Sequence, residues 1–166
     1  MRIPYRIYGG LRFYERLEIK NAIAYLKVVF NNNDNPSFER SISNPTRGVG
    51  EKTLAKIRNT AKQFNLSYIK ASAKLVDEGS IGGRGGAGLK DYLEFIAGCK
   101  SFIEENLLSE LMELIIKETG LYAYHAKEPG EKGKTRTENL EELITATKNF
   151  EQSISEDKSN LEIAES

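Results

Sequence analysis

Apolar residues recur along this chain at the spacing of helix faces. Ile19, Ala22, Ile23, Leu26, Val29 and Phe30 fall on one side of a repeat of about 3.6 residues. They predict a helix from Tyr14 that "NNNDNP" stops near Asn31. Asp34 or Asn35 is placed to cap a short helix through Phe38 and Ile42. Leu54, Ile57, Ala61 and Phe64 are in phase from Glu51, and Ser67 caps a further helix to about Val76. Leu89, Tyr92, Leu93, Ile96, Cys99 and Ile103 make a long stripe. Leu107, Leu108, Leu111, Leu114 and Ile115 make the next, which Gly120 ends from the position just past the cap. Thr135 and Glu138 stand at capping-box spacing ahead of Leu140, Leu143, Ile144 and Thr147. Residues 2–8 alternate, with Ile3, Tyr5, Ile7 and Tyr8 before Gly9-Gly10, and read as a short strand. "EGSIGGRGGAG" and "HAKEPGEKGK" read as loops, and the polar, acidic tail after Phe150 as disordered. The fold class is therefore all-α, a compact helical subdomain with one short N-terminal strand.

Composition narrows the chemistry. No apolar run approaches the length that spans a bilayer, and the N-terminus lacks the apolar core of a signal peptide. A single cysteine, Cys99, excludes an internal disulfide and points to the cytoplasm. With one histidine, His125, there is no set of ligands for structural zinc. Cys99 sits on an apolar stripe, His125 lies in a polar loop, and no carboxylate pair stands apart, so no catalytic or metal-binding residue is assigned. The formal net charge is zero, which argues against a uniformly basic nucleic-acid binder. The charge is uneven, however. From Asn44 to Lys74 the cations Arg47, Lys52, Lys56, Arg58, Lys62, Lys70 and Lys74 face Glu51 alone.

Three glycine motifs compete for meaning. Gly83, Gly85 and Gly88 match the dinucleotide fingerprint, but a helix end rather than a strand precedes them. "GEKGKT" resembles the end of a P-loop, yet Glu128 occupies the place of its first glycine, where a carboxylate would repel phosphate. "NPTRGVGEKT", Asn44 to Thr53, fits its context. A glycine–valine–glycine corner between a short helix and a basic one is helix-hairpin-helix-like. Its glycines permit positive φ and the close approach of another backbone. The second helix opens with free N–H groups that suit a phosphate. Val49 would plug the corner into the core, and Lys52 and Thr53 would sit in the first turn. Glu51 suits a helix start but weakens a phosphate site.

Three stretches, "IPYRIYGGLRFYERLEIKNAIAYLK", "NPTRGVGEKT" and "GEKGKTRTENLEELITATKNF", together resemble the UvrD/PcrA/Rep family of superfamily 1 DNA helicases. They come in family order and cover nearly all of the chain to Phe150; Phe64 to Tyr124 matches in pattern only. The resemblance implies a fragment. Residues 1–13 would edge the second RecA-like motor domain (2A), 14–134 would form the helical 2B subdomain, and 135–150 a helix returning to 2A. Residues 151–166 would be the acidic tail. The parent would be an ATP-dependent 3′ to 5′ helicase of DNA repair. ATP and Mg²⁺ would be bound outside this segment, which holds no cofactor of its own and is not itself an enzyme.

The implied partners are duplex DNA at a single-strand/double-strand junction, the other motor domains and repair proteins, with self-association or swivelling of 2B controlling unwinding. The implied DNA contacts are Gly48, Gly50 and Thr53, with Lys20 and Lys27 on the first helix. Lys27 stands where arginine is common in the family. Positions seven apart lie only about 20° apart around a helix, so Lys20 and Lys27 share a flank. Arg47 and Lys52 join the candidates through charge and position. Two other readings stand beside this one: a protein-interaction module that keeps the hairpin without binding DNA, and an enzyme that uses "GEKGKT" for a nucleotide.

Overall fold

The computed structural model describes residues 11–165, with side chains described for residues 12–161. The strand expected at residues 2–8 lies outside these. Among the described residues the fold is all-α. The helices are α1 (Leu11–Glu15), α2 (Leu17–Phe30), α3 (Asn35–Ser43), α4 (Glu51–Phe64), α5 (Tyr68–Asp77), α6 (Gly83–Glu105), α7 (Leu108–Glu118), α8 (Leu121–Ala126) and α9 (Gly130–Glu165). They divide into two compact units, residues 21–105 and residues 1–20 with 106–166.

In the unit of residues 21–105, α5 packs on α3, α4 and α6. Its core is aromatic at the centre. The Phe38 and Tyr92 rings meet edge-on at 5.3 Å, and Tyr25 lies 6.1 Å from Tyr92 and 6.0 Å from Phe95. Ile42, Ile57, Leu75, Leu89 and Ile96 are buried in the same unit. The local signals behave as their chemistry dictates. Asp34 caps α3 by accepting from the Ser37 amide at 3.1 Å. Ser67 caps α5 through the Lys70 amide at 3.2 Å, and Asn65 ends α4 in the left-handed conformation.

In the other unit α7, α8 and α9 pack on one another over Leu111, Met112, Ile115, Leu121, Leu140 and Leu143. Gly120 follows α7 with φ +86° and admits the turn into α8. Glu151 reaches back to α7, where its carboxylate accepts from the Ser109 amide at 2.6 Å and the Ser109 hydroxyl at 2.8 Å.

Three sequence expectations are corrected here. The glycine-rich segment is not a loop throughout, because α6 begins at Gly83. Thr135 does not open a helix, because α9 begins at Gly130 and already contains it. Gly133 makes that early start feasible, since a Cβ there would fall 2.3 Å from the Glu128 carbonyl oxygen and 2.7 Å from that of His125. Lastly, α9 does not stop at Phe150 but continues to Glu165. Once nucleated on the buried Leu140, Leu143 and Ala146, a helix grows by one hydrogen bond per residue. No glycine or proline follows Gly133 to interrupt it.

Candidate nucleic-acid interface

The corner between α3 and α4 occupies residues 44–50. The Asn44 side chain donates to the Arg40 carbonyl at 2.9 Å and closes the end of α3. Gly48 takes φ +83°, where a side chain would be strained. Val49 is buried. Gly50 is the N-cap of α4 in extended backbone and offers no side-chain cap. The first bond of the helix runs from the Leu54 amide to the Gly50 carbonyl at 3.0 Å. The amides of Glu51, Lys52 and Thr53 therefore precede the ladder and are available to an acceptor from outside.

The head of α6 forms the floor of this corner. A Cβ on Gly88 would lie 2.0 Å from the Arg47 carbonyl oxygen, and one on Gly85 would lie 2.8 Å from Thr53 Oγ1. A Cβ on Gly86 would lie 2.3 Å from the Ile81 carbonyl oxygen. At Gly86 and Gly88 the obstacle is backbone and no side chain fits, whereas at Gly85 it is the Thr53 hydroxyl, so this glycine run is a close-packing surface. The two glycines of the corner itself differ. A Cβ on Gly48 would meet Arg84 at 3.1 Å, whereas one on Gly50 has no neighbour within 4 Å.

Arg47 is turned inward. Its guanidinium lies 5.6 Å from the Tyr25 ring centroid and 5.3 Å from that of Tyr92, and it donates to the Tyr25 hydroxyl. The Tyr92 hydroxyl in turn meets Ser41 Oγ at 2.6 Å. Burial pushes the Tyr25 phenol up to about 12, against the lowering effect of Arg47. Burial likewise raises Tyr92. The arginine ties the corner to α2 and α6.

Residues 1–78 match the model of the UvrD-like helicase C-terminal domain. DNA helicase II of Escherichia coli (strain K12) is 43% identical over 148 residues, which is 89% of this chain and 21% of that protein. DNA helicase II of Haemophilus influenzae is 43% identical over 149 residues, 90% of this chain and 20% of that protein. The ATP-dependent DNA helicase PcrA of Bacillus subtilis is 36% identical over 156 residues, 94% of this chain and 21% of that protein. The chain belongs to the UvrD-like helicase family. It spans about a fifth of the length of the curated relatives it matches.

Within this UvrD-like chain the expected site residues do not all come together. Gly48 and Gly50 lie in the corner, Lys52 and Thr53 in the first turn of α4 beside it, and Lys52 is exposed. Thr53 presents its amide there, and its half-buried side chain turns its hydroxyl toward Gly85. Arg47 supplies its backbone to the corner and its charge to the two tyrosines, so its guanidinium is not a surface contact. Lys20 and Lys27 are exposed on α2. They lie about 220° and about 200° around that helix from Tyr25, the residue that meets Arg47. They form a separate flank. Glu51 is engaged, its carboxylate accepting from Arg58 Nη1 at 2.6 Å.

Two further side chains had no clear signal in the sequence. Arg84 is exposed beside Gly48, and only the packing of α6 reveals it. His125, expected in a polar loop, is buried in α8. Its Nδ1 pairs with Glu128, which also accepts from Arg136 Nη1 at 2.9 and 3.0 Å. The histidine first, and then the arginine, hold the Glu128 carboxyl below its usual range. The spacing of His125 on α8, Glu128 in the turn that follows and Arg136 on α9 was the available signal. "GEKGKT" is helical from Gly130 onward, so it forms no phosphate-wrapping loop, and Gly133 is wedged against backbone carbonyls.

Proposed function

We propose that α2 to α6 carry the DNA-contacting surface of the 2B accessory subdomain of an ATP-dependent 3′ to 5′ repair helicase. The α3–α4 corner is a helix-hairpin-helix that grips the phosphate backbone of duplex DNA ahead of the fork. ATP, Mg²⁺ and the unwinding motor belong to the rest of the parent. One observation carries the reading: Gly50 has open space where its side chain would be. The fold does not require glycine there, and serine or aspartate would cap α4 at least as well. A bare N-cap is what a close-approaching phosphate oxygen requires, because it leaves the amides of Glu51, Lys52 and Thr53 uncovered. Lys52 adds a cation at the same turn. Lys20 and Lys27 would meet the backbone elsewhere along the duplex. Such contacts read shape and charge without reading sequence.

The test is fluorescence anisotropy of a labelled hairpin duplex titrated with the chain at rising salt. Binding with Kd of about 10⁻⁴ to 10⁻⁶ M that weakens with salt is expected, and Gly50→Asp should abolish it. No binding at low salt, or equal binding by the folded variant, would make the hairpin a structural corner. The chain would then act through protein contacts or self-association.

A further inference from the structure

We infer that Arg84 is a further phosphate-backbone contact of this interface, delivered to the hairpin tip by the glycine-rich head of α6. The inference rests on the hairpin reading and extends it to a second element distant in the sequence. In the run Gly82 to Gly88, packing demands smallness at Gly85, Gly86 and Gly88, where a Cβ would strike Thr53, Ile81 and Arg47. Arg84 is the one residue of that run with a side chain longer than a methyl. Its Cβ and its carbonyl oxygen each stand 3.1 Å from the place a Gly48 Cβ would take. The α6 backbone thus touches the hairpin tip with nothing between, and the arginine leaves that contact into solvent.

Its charge is uncommitted. Among the described residues no carboxylate lies within ion-pair distance of Arg84. Arg58, by contrast, holds Glu39 and Glu51, and Lys74 holds Glu78. Along α6 the next acids are Asp91 and Glu94, about two turns or more away. A planar guanidinium beside a bare glycine corner suits a phosphate, which it can bind in a two-pronged geometry. With Lys52 on α4 and Arg84 on α6, the tip would be flanked by one cation from each helix.

The same anisotropy titration decides it, with Arg84→Gln, Arg84→Lys, Lys52→Gln and Lys90→Gln, each checked for an unchanged melting curve. Lys90 is an exposed cation further along α6 and serves as the charge control. Arg84→Gln should weaken binding about fivefold at low salt and flatten the slope of log K against log salt by about 0.9. Arg84→Lys should restore most of that slope, and Lys90→Gln should match the parent. Wild-type affinity and slope for Arg84→Gln beside a weakened Lys52→Gln would overturn the inference and leave the hairpin reading standing. Equal losses for Arg84→Gln and Lys90→Gln would reduce the effect to general charge and also overturn it. Failure of the unmodified chain to bind DNA at low salt would overturn both.

Discussion

Gly88 and Gly98 lie on one helix, and the same substitution should act on them with opposite sign. Both are helical in α6. Replacing a mid-helix glycine with alanine removes backbone entropy from the unfolded chain and gains about 0.8–1 kcal/mol. At Gly98 a Cβ meets nothing within 4 Å, so Gly98→Ala should keep that gain. At Gly88 the Cβ would fall 2.0 Å from the Arg47 carbonyl oxygen and 3.4 Å from Val49 Cγ2. Carbon and carbonyl oxygen do not approach below about 3 Å, so α6 and the corner must part by about an ångström. Overpacking of this kind costs about 1–3 kcal/mol, and the obstacle is backbone, which yields least. The propensity gain offsets only part of it. Gly88→Ala should therefore end about 2 kcal/mol or more below Gly98→Ala. Urea unfolding of the parent and both variants reads this as a difference in midpoint at equal slope. If Gly88→Ala proves as stable as Gly98→Ala, α6 does not pack on the hairpin as described.

Gly50→Asp should separate fold from binding. It adds an N-cap acceptor and a charge that favours a helix N-terminus, so the melting temperature should hold or rise by about 1–2 °C while DNA affinity collapses; a lower melting temperature would contradict the open space at Gly50. Arg47→Gln should lower stability by about 1–2 kcal/mol through loss of its stacking on Tyr25 and Tyr92, yet leave the salt slope of DNA binding intact; a slope shallower by about one would mean that Arg47 reaches phosphate after all. Alkali should weaken the fold. Burial pushes the Cys99 thiol up to about 12 and the Tyr25 phenol up to about 12. The unfolded groups ionise near about 8.5 and about 10, so the folded chain keeps protons that the unfolded chain has released. The stability they contribute is whole below those values and is lost as pH climbs toward 12. A urea midpoint that stays constant from about pH 8 to about pH 11 would refute this, and Cys99→Ala should delay the onset of the fall.

Helix positions were legible because they depend on local chemistry. The caps at Asp34 and Ser67, the left-handed Gly120 and the buried Val49 follow from neighbours within a few residues. What sequence concealed depends on partners distant in the chain. A glycine run serves mobility or close approach equally well until its neighbour is known; here the neighbours are Arg47 and Thr53. An arginine in a basic segment reads as a surface cation, and nothing adjacent announces that Tyr25 and Tyr92 will hold it. His125 is polar, and so are the residues that follow it, yet Glu128 and Arg136 let it be buried. The acidic end of the chain lacks apolar pattern, so its helix, propagated from a buried stretch upstream, had no periodic signature of its own.

The floor beneath the corner also limits what can be moved elsewhere. A peptide of residues 35–64 holds both helices and the glycine corner, but not Tyr25, Gly88 or Tyr92. Cut out alone, its Arg47 loses both rings and its backbone loses the surface that sets Gly48. The smallest transplantable cassette is therefore the unit of residues 21–105. An engineer grafting this corner onto a new scaffold would need to carry α6 and the part of α2 that holds Tyr25 with it.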